Sequence, residues 1–518
     1  MPSKKTQYVI IPSEGFVASE NNPQEMLFFQ ALHETSSSPT QMRSMSTHSG
    51  LLPVKVIDSI GEDKAKLIEC QPEDLAALRA SYPSVQILPV VYFQRAVMRH
   101  QVVTKVKTIA ARAASKAAAK PTTARAAVKA AATPSGITIS IVSAADGKPV
   151  AKAMVVAFTD FANKAGAQGT TNAQGQVALA LGSSTKKIER LYVYPASGFW
   201  PGLQMNVTLK AGTKVPLQPI DLSYADCVRY FYGGKDLSFG QGVRVGVIDS
   251  GIATNHPGLV VDGGQNTVPG EDPTNFGDNG TEGHGTHVAG IIAARGTPPD
   301  GIRGVAPAVT LRSYRVFGQG SSNASNYAIA KAINAAVQDN CDLVNMSLGG
   351  GAPDPVTAAA LTAAHNAGVV VLAANGNDSR KPVSFPAANS MCQAVSAMGR
   401  IGTFPKDTEP NGSIAAPYGK DKNNFVADFS NIGPETDLTG PGVGVMSTVP
   451  SGYGVMSGTS MATPAETGAA ARLLATKPAI LAMPRDQNRS SAIIGAIADA
   501  SKPFGFGAIY EGKGMISF

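Results

Sequence analysis

The chain of 518 residues is longer than one ordinary domain, and its length predicts about two to four domains. Hydrophobic residues make up 43% of it and charged residues 16%, which excludes an intrinsically disordered protein. The formal net charge of +7 arises from 44 basic and 37 acidic residues. Residues 101–130, described below, contain seven basic and no acidic residues. The excess of positive charge is therefore local, and a surface that is basic throughout is excluded.

Residues 1–100 are predicted to form a small α+β domain with the ferredoxin-like order strand, helix, strand, strand, helix, strand. Alternating or continuous apolar runs indicate the strands, and apolar residues at i, i+3 and i+4 indicate the helices. The predicted strands cover residues 8–11, 54–60, 64–70 and 85–93, and the predicted helices cover residues 23–33 and 72–82.

The first residues, MPSKKTQYVIIPSEGF, do not have the pattern of a signal peptide. The apolar run after the two lysines is soon broken by Pro12, Ser13 and Glu14. No window approaches the ~18 consecutive apolar residues that a membrane-spanning helix requires. We therefore expect no membrane partner and a cytoplasmic location by default, while export by a route without such a signal stays open.

Residues 101–135 form a basic, Ala- and Lys-rich segment that we predict to be a linker. Its larger apolar residues stop after Ile109, so no face of it can bury much apolar surface. It resembles the Lys/Ala/Pro tails of chromatin proteins, which bind phosphates. We nevertheless expect no nucleic-acid partner, because a run of like charges is usually a solvated linker. The segment contains no acidic residue and the basic residues Lys105, Lys107, Arg112, Lys116, Lys120, Arg125 and Lys129.

Residues 136–220 are predicted to form a small β-sandwich. Short alternating runs such as ITISIVS and MVVAFTDF are separated by turn clusters such as ADGKP and TTNAQGQ. The pattern resembles the transthyretin-like and carboxypeptidase-regulatory-like modules that accompany many enzymes. Because such a likeness of fold does not predict a function, we expect a spacer or a docking module.

Residues 221–518 are predicted to form an α/β domain. Apolar strand runs alternate there with Ala-rich helical stretches, as in a parallel sheet covered by helices on both faces. Asp249 ends the buried run VRVGVID, at the carboxyl end of a strand, where sites form in such sheets. His284 opens a helical run between Gly283 and Gly285, a spacing that indicates close approach of the backbone on both sides.

A third polar residue, Ser460, lies in the motif GTSMATP. An Ala-rich helical run follows, and we expect Pro464 in its first turn, where proline is tolerated. The serine oxygen is therefore expected at a helix N-terminus, whose partial positive charge favours developing negative charge.

In the chain order Asp, His, Ser, these three motifs resemble the subtilase family, peptidase S8. The segments NMSLGG (345–350), AANGND (373–378) and FSNIG with TGPG (429–442) extend the resemblance. It implies a subtilisin-like parallel sheet flanked by helices and a serine endopeptidase, a hydrolase that acts through an acyl-enzyme. In that case Ser460 is the nucleophile, His284 its general base and Asp249 the residue that orients the base.

The resemblance assigns two further groups of residues. It places an oxyanion-stabilising amide on Asn377, and not on Asn375. It also implies that Ser347, Leu348 and Gly349 form backbone hydrogen bonds with an extended substrate, in the manner of strand addition.

Residues 1–100 precede the protease-like region, as the inhibitory propeptide does in this family, so we expect a self-processing zymogen. Two positions of cleavage stay open. A cut in the basic segment would leave the predicted sandwich on the mature enzyme, and a cut near residue 220 would remove it.

The resemblance implies protein or peptide substrates and no required cofactor, and we expect a monomer. Structural Ca²⁺ stays open, but no set of oxygen ligands in the sequence can be assigned to it, so we predict no metal ligand.

Two other classes of function are distinguishable by experiment. A nucleic-acid-binding protein would lose salt-dependent binding on deletion of residues 101–130, and a noncatalytic interaction module would not react with a serine-directed organophosphate.

Overall fold

The computed structural model describes residues 5–36, 43–47, 50–105, 136–280 and 283–518. Most of the predicted basic linker, residues 106–135, lies outside these ranges. Within the described residues, each helix is too short or too polar to span a lipid bilayer.

The N-terminal unit is an antiparallel sheet with two helices. Its elements are β1 (Thr6–Pro12), α1 (Pro23–Ser36), β2 (Arg43–Thr47), β3 (Gly50–Ser59), β4 (Lys66–Cys70), a 3₁₀ turn (Pro72–Asp74), α2 (Leu75–Ser81) and β5 (Val85–Pro89). The strand order is β2-β3-β4-β1-β5. Residues of β1 alternate between two clusters, because successive side chains of a strand point to opposite faces. Tyr8 and Ile10 pack with the helices of this unit, and Val9 and Ile11 pack against the C-terminal unit.

The predicted single strand over residues 85–93 is wrong, because the chain changes sheets within this run. β5 ends at Pro89, and a separate strand, β6 (Tyr92–Arg95), follows. Asn326 holds the turn between them, since its backbone N–H donates to the Val91 carbonyl over 2.8 Å. A continuous apolar run indicates strand structure but not the sheet to which each part belongs.

The middle unit consists of two sheets that share one hydrophobic cluster. Its strands are β7 (Thr104–Lys105), β8 (Ile137–Ser143), β9 (Met154–Asp160), β10 (Ala165–Thr170), β11 (Gln176–Leu179), β12 (Thr185–Tyr194), β13 (Gly202–Lys210) and β14 (Lys214–Leu217). One sheet has the order β13-β12-β9-β10-β7 and the other the order β11-β8-β14. We call residues 136–220 the β module.

The C-terminal unit contains the remaining elements. Its strands are β15 (Arg244–Asp249), β16 (Gly264–Asn266), β17 (Thr310–Arg315), β18 (Asn323–Ser325), β19 (Leu343–Met346), β20 (Leu348–Gly349), β21 (Val370–Ala374), β22 (Cys392–Arg400), β23 (Asn424–Val426), β24 (Thr436–Pro441), β25 (Val445–Val449), β26 (Gly452–Met456), β27 (Ser501–Lys502) and β28 (Met515–Ile516). Its helices are α3 (Cys227–Tyr232), α4 (His284–Ala293), α5 (Asn326–Gln338), α6 (Pro355–Asn366), α7 (Thr459–Ala475), α8 (Pro478–Leu481), α9 (Gln487–Ala500) and α10 (Ala508–Glu511), with a 3₁₀ turn at Glu409–Ser413.

The central sheet of this unit has the order β16-β17-β15-β19-β21-β22-β23, with β24 beside β22. Neighbouring strands are parallel, except that β23 is antiparallel to β22. Helices α4 and α7 pack on one face, and α5 and α6 pack on the other. The predicted parallel sheet with helices on both faces is therefore confirmed.

Candidate active site

Asp249 and His284 form a buried pair at the carboxyl end of β15. The Nδ1 atom of His284 lies 2.8 Å from Oδ1 and 3.0 Å from Oδ2 of Asp249, and both side chains are fully buried. A carboxylate only accepts hydrogen bonds, so Nδ1 carries the proton and donates it in this pair. The neutral ring then has its lone pair on Nε2, which lacks a hydrogen-bond partner among the described residues.

Two glycines let the start of α4 approach the end of β15. Gly283 caps the helix with a φ of 67°, in the left-handed region that favours glycine. A Cβ atom at Gly285 would lie 2.3 Å from the carbonyl oxygen of Gly251 and 3.2 Å from Cβ of Asp249. Any side chain at position 285 would therefore push the histidine away from its carboxylate.

Ser460 lies buried in the first turn of α7, close to the backbone of Ser347. Its hydroxyl donates to the Ser347 carbonyl oxygen over 2.9 Å, and not to His284 Nε2. Pro464 lies inside α7 rather than in its first turn, so that expectation is wrong. Proline has no N–H to donate to the carbonyl of residue 460. The Ser347 hydroxyl donates to that carbonyl instead, over 3.0 Å, which connects the residue between β19 and β20 to α7.

Asn377 points its side chain toward the start of α7. Its Oδ1 accepts hydrogen bonds from the N–H of Thr459 over 2.9 Å and from the Thr459 hydroxyl over 3.0 Å. Its Nδ2 donates to the carbonyl oxygen of Ala96. Asn375 has different partners, since its Nδ2 donates to Asn431 O and to Thr436 Oγ1. Of these two asparagines, only Asn377 faces the start of α7 and its serine.

The cleft is filled by the chain's own residues 92–98. Strand β6 lies antiparallel between β18 and β20, with Arg95 opposite Leu348 and Gln94 opposite Gly349. The Ala96 N–H then donates to Ser347 O over 3.2 Å. Ser347, Leu348 and Gly349 thus contact an extended peptide, at the positions where the sequence predicts such contacts.

The carbonyl oxygen of Ala96 accepts two hydrogen bonds at the serine. The Ser460 N–H donates to it over 3.2 Å, and Asn377 Nδ2 is the second donor. Two residues further on, the Met98 N–H donates to Ser457 O over 2.9 Å. The backbone is therefore held on both sides of the Ala96–Val97 peptide bond.

Several contacting residues were not found by sequence reasoning. β18 forms one wall of the cleft, and Phe385 contacts the ring of Phe93, with centroids 6.0 Å apart. A Cβ atom at Gly458 would lie 2.7 Å from Ala96 O. The motif GTS contains this glycine, but only the bound segment shows why a side chain is excluded there.

A second histidine of the motif, His287, packs away from the cleft. Its Nε2 lies 3.1 Å from the Val445 carbonyl oxygen, and burial lowers the pKa of this imidazole to about 3. It therefore stays neutral in the helix–sheet interface. In the part of the chain that the structure describes, no group of three or more His, Cys, Asp or Glu residues is arranged to hold a metal ion.

Comparisons with known proteins show the family to which the chain belongs. The family model described as the subtilase family, Peptidase_S8, matches residues 240–507. Subtilisin DY from Bacillus licheniformis is 37% identical over 284 residues, which cover 54% of this chain and 90% of the relative. Subtilisin Savinase from Lederbergia lenta is 39% identical over 240 residues, 46% of this chain and 78% of the relative. An alkaline protease from Shouchella clausii is 39% identical over 240 residues, 46% of this chain and 56% of the relative.

Proposed function

Because the chain belongs to the subtilase family and is a subtilisin-like serine endopeptidase, we propose that Asp249, His284 and Ser460 are its catalytic triad. The hydrogen bonds between His284 and Asp249 support the first half of this assignment. The Nε2 atom, which has no hydrogen-bond partner among the described residues, supports the role of His284 as general base, because its lone pair is available for the serine proton. Asp249 fixes the tautomer and stabilises the imidazolium without taking the proton itself.

Attack requires one change from the conformation described. The Ser460 hydroxyl donates to Ser347 O, and we propose that it leaves this acceptor for His284 Nε2 by a rotation about χ1 to another staggered rotamer. The proton then passes to Nε2 while Oγ bonds to the substrate carbonyl carbon. His284 returns the proton to the leaving amine as the C–N bond breaks, and a water molecule activated by the same base releases the acyl group.

The observation that carries the proposal is the position of the Ala96 carbonyl. Its oxygen accepts from the Ser460 N–H and from Asn377 Nδ2, as the oxyanion of a tetrahedral intermediate would. Both donors are already in place, so they would stabilise the developing negative charge without reorganisation. We assign Asn377 to the oxyanion hole on this basis.

The same position leads us to propose that the chain is a zymogen that cleaves itself between Ala96 and Val97. This bond precedes both cleavage positions that the sequence left open, the basic segment and the region near residue 220. Residues 1–96 would then be the inhibitory propeptide, because β6 occupies the cleft that a substrate needs. The β module would stay on the mature enzyme, joined to residues 221–518.

Intact-mass measurement of the full-length chain tests both proposals. We expect wild type to give fragments that end at Ala96 and begin at Val97, and Ser460→Ala to stay whole. Ser451→Ala is the matched control, since it removes a hydroxyl from an exposed turn of the same unit and should cleave like wild type.

Two outcomes would count against these assignments separately. Equal cleavage by Ser460→Ala and wild type would remove Ser460 as the nucleophile. A wild-type chain that hydrolyses a peptide and reacts with a fluorophosphonate, yet keeps the Ala96–Val97 bond in every molecule, would remove self-cleavage at this position and leave the triad intact.

A further inference from the structure

The chain that leaves the cleft on the carboxyl side of Ala96 lies on the β module. The His100 N–H donates to the Tyr194 hydroxyl over 3.2 Å, and the Val102 N–H donates to Gln168 Oε1 over 2.8 Å. The Val103 N–H donates to the Lys164 carbonyl over 3.0 Å, and β7 then pairs in parallel with β10. The module thus contacts the backbone of this segment from His100 onward, and His100 is the fourth residue after the Ala96–Val97 bond.

An aromatic pocket on the module receives the His100 ring. We define this pocket by Phe158, Phe161 and Tyr192, whose ring centroids lie 6.3, 5.1 and 4.3 Å from that of His100. Phe158 and Phe161 approach the imidazole edge to face, a favourable geometry for aromatic rings. The contact is therefore one of shape and ring stacking rather than of a single hydrogen bond.

The aromatic pocket lies on the outer face of the larger sheet of the middle unit. Val155 and Ala157 of β9 point into the core between the two sheets, while Val156 and Phe158 point outward. An antiparallel sheet with one face on a core commonly carries polar residues on its other face. Here the outer face is apolar and buried, and Val102 of the segment from the cleft packs against it.

The charges around the pocket select against a cation. The Arg190 guanidinium stacks on the Phe161 ring at 3.7 Å from its centroid. Burial, together with Arg190 and Lys164, lowers the pKa of His100 to about 4, so the bound imidazole is neutral. A lysine in its place would bring a third positive charge into a partly desolvated site.

The pocket is continuous with the active-site cleft. A cavity of about 730 Å³ runs beside the bound segment, with Phe158 and Lys164 of the module on one side and Asn377 and Asp378 of the C-terminal unit on the other. The two units therefore line one groove, which passes the Ala96–Val97 bond and reaches the aromatic pocket.

We infer that the β module is a substrate-binding extension of the protease, with a subsite for a neutral aromatic side chain four residues after the cleaved bond. This inference rests on the proposed function, because it takes Ala96–Val97 as the register of a bound substrate. The ligand is an extended polypeptide whose residues on the carboxyl side of the cut lie along the module. Phe, Tyr or neutral His fits the subsite, and Lys or Arg does not.

Cleavage of matched peptides by the self-processed enzyme tests the inference. The parent peptide has the sequence of residues 92–102, and its relatives replace His100 with Phe or Lys. We expect the Phe peptide to be cleaved at least as fast as the parent at pH 8, and the Lys peptide to have a kcat/KM lower by about three- to tenfold. The enzyme's own residues from Val97 onward lie in the same groove, so the enzyme used for this test carries His100→Gly, which leaves the aromatic pocket free for the peptides.

Two enzyme variants locate the effect on the module. Phe161→Ala should reduce the ratio of kcat/KM for the Phe peptide to that for the Lys peptide to about one. A short peptide of residues 92–98, which does not reach the pocket, should be cleaved by this variant as by wild type. Met205→Ala, on exposed surface of the same sheet, is the matched control and should retain the ratio.

Equal cleavage of the three long peptides by wild type, or an unchanged ratio in Phe161→Ala, would overturn the inference. Because the short peptide reports the triad alone, loss of its cleavage when a fluorophosphonate labels Ser460 of the self-processed wild type shows that the proposed function holds even if the subsite fails.

Discussion

Asn377 is fixed at both ends of its side-chain amide, which matters for an oxyanion hole. Thr459 donates twice to Oδ1, so Nδ2 has little freedom other than to face the Ala96 carbonyl oxygen. A donor held in this way stabilises negative charge in the transition state more than it stabilises the neutral carbonyl of the ground state. Its removal should therefore affect turnover rather than substrate binding.

We expect Asn377→Ala to lower kcat by about 10² to 10³ with little change in KM, the loss known for an oxyanion-hole donor of subtilisin itself. The measurement is steady-state hydrolysis of the peptide of residues 92–98, with active sites counted by fluorophosphonate labelling. An unchanged kcat would show that Asn377 is not the donor.

Asn375→Ala provides the contrasting variant for this measurement. Asn375 is buried and bonds Asn431 O and Thr436 Oγ1, so its loss leaves polar groups without partners in the interior. We expect a lower Tm for this variant and a kcat per folded molecule close to that of wild type. The two asparagines are two positions apart in one motif, and only matching the motif to the family distinguished them in the sequence.

At the scale of elements, the N-terminus of α7 lies directly against the backbone of the segment that fills the cleft. Gly458 caps this helix with a φ of 154°. A Cβ atom there would lie 2.7 Å from Ala96 O and 3.3 Å from both Val97 Cα and Met98 N. The helix can place Ser460 at the carbonyl only because residue 458 has no side chain.

We expect Gly458→Ala to slow self-cleavage between Ala96 and Val97 by about 10²-fold, because the scissile carbonyl is displaced from its donors. Intact mass measured at successive times reports the rate. Gly495→Ala, in α9, is the control, since its Cβ atom would contact nothing within 4 Å. Alanine is the better helix former, so this control should cleave normally with a Tm equal to or above that of wild type. Normal self-cleavage by Gly458→Ala would contradict the close approach.

The elements themselves were largely predictable, and their partners were not. The buried run that ends at Asp249 and the helix that begins at His284 follow from apolar periodicity and the flanking glycines. The split of residues 85–93 into β5 and β6 could not be predicted, because the edges that pair with β6 are β18 and β20, more than 200 residues away in sequence. Local pattern contains no information on such pairing.

At the scale of the molecule, one segment connects the three units. Residues 92–105 run from the N-terminal sheet through the cleft and onto the β module. The N-terminal sheet also contacts the C-terminal unit through Asp58, whose Oδ2 accepts a hydrogen bond from Lys331 Nζ over 2.6 Å. Cutting the segment would leave the N-terminal unit attached only by such noncovalent contacts, as an inhibitor that can dissociate needs to be.

Stability of the whole C-terminal unit should depend on a buried acid in α7. Glu466 is fully buried, and it accepts hydrogen bonds from the Tyr232 hydroxyl over 2.6 Å and from the Ile516 N–H over 3.1 Å. Burial raises the pKa of this carboxyl from 4.5 to about 8. The folded state therefore keeps a proton that the unfolded chain releases above its ordinary pKa.

The sign of the resulting pH dependence follows from proton binding. Between about pH 4.5 and pH 8 the folded state binds more protons at this group than the unfolded state, so its contribution to the free energy of unfolding falls as pH rises. Both chains carry Ser460→Ala, which prevents autolysis. We expect the free energy of unfolding of the chain with Glu466 to fall by about 4 kcal/mol across this window relative to that of the Glu466→Gln variant. Denaturant unfolding at several pH values measures the difference, and Glu435→Gln, at an exposed carboxylate of the same unit, controls for the loss of one charge. Parallel curves for wild type and Glu466→Gln would mean that the two hydrogen bonds already keep the buried carboxylate ionised at pH 5.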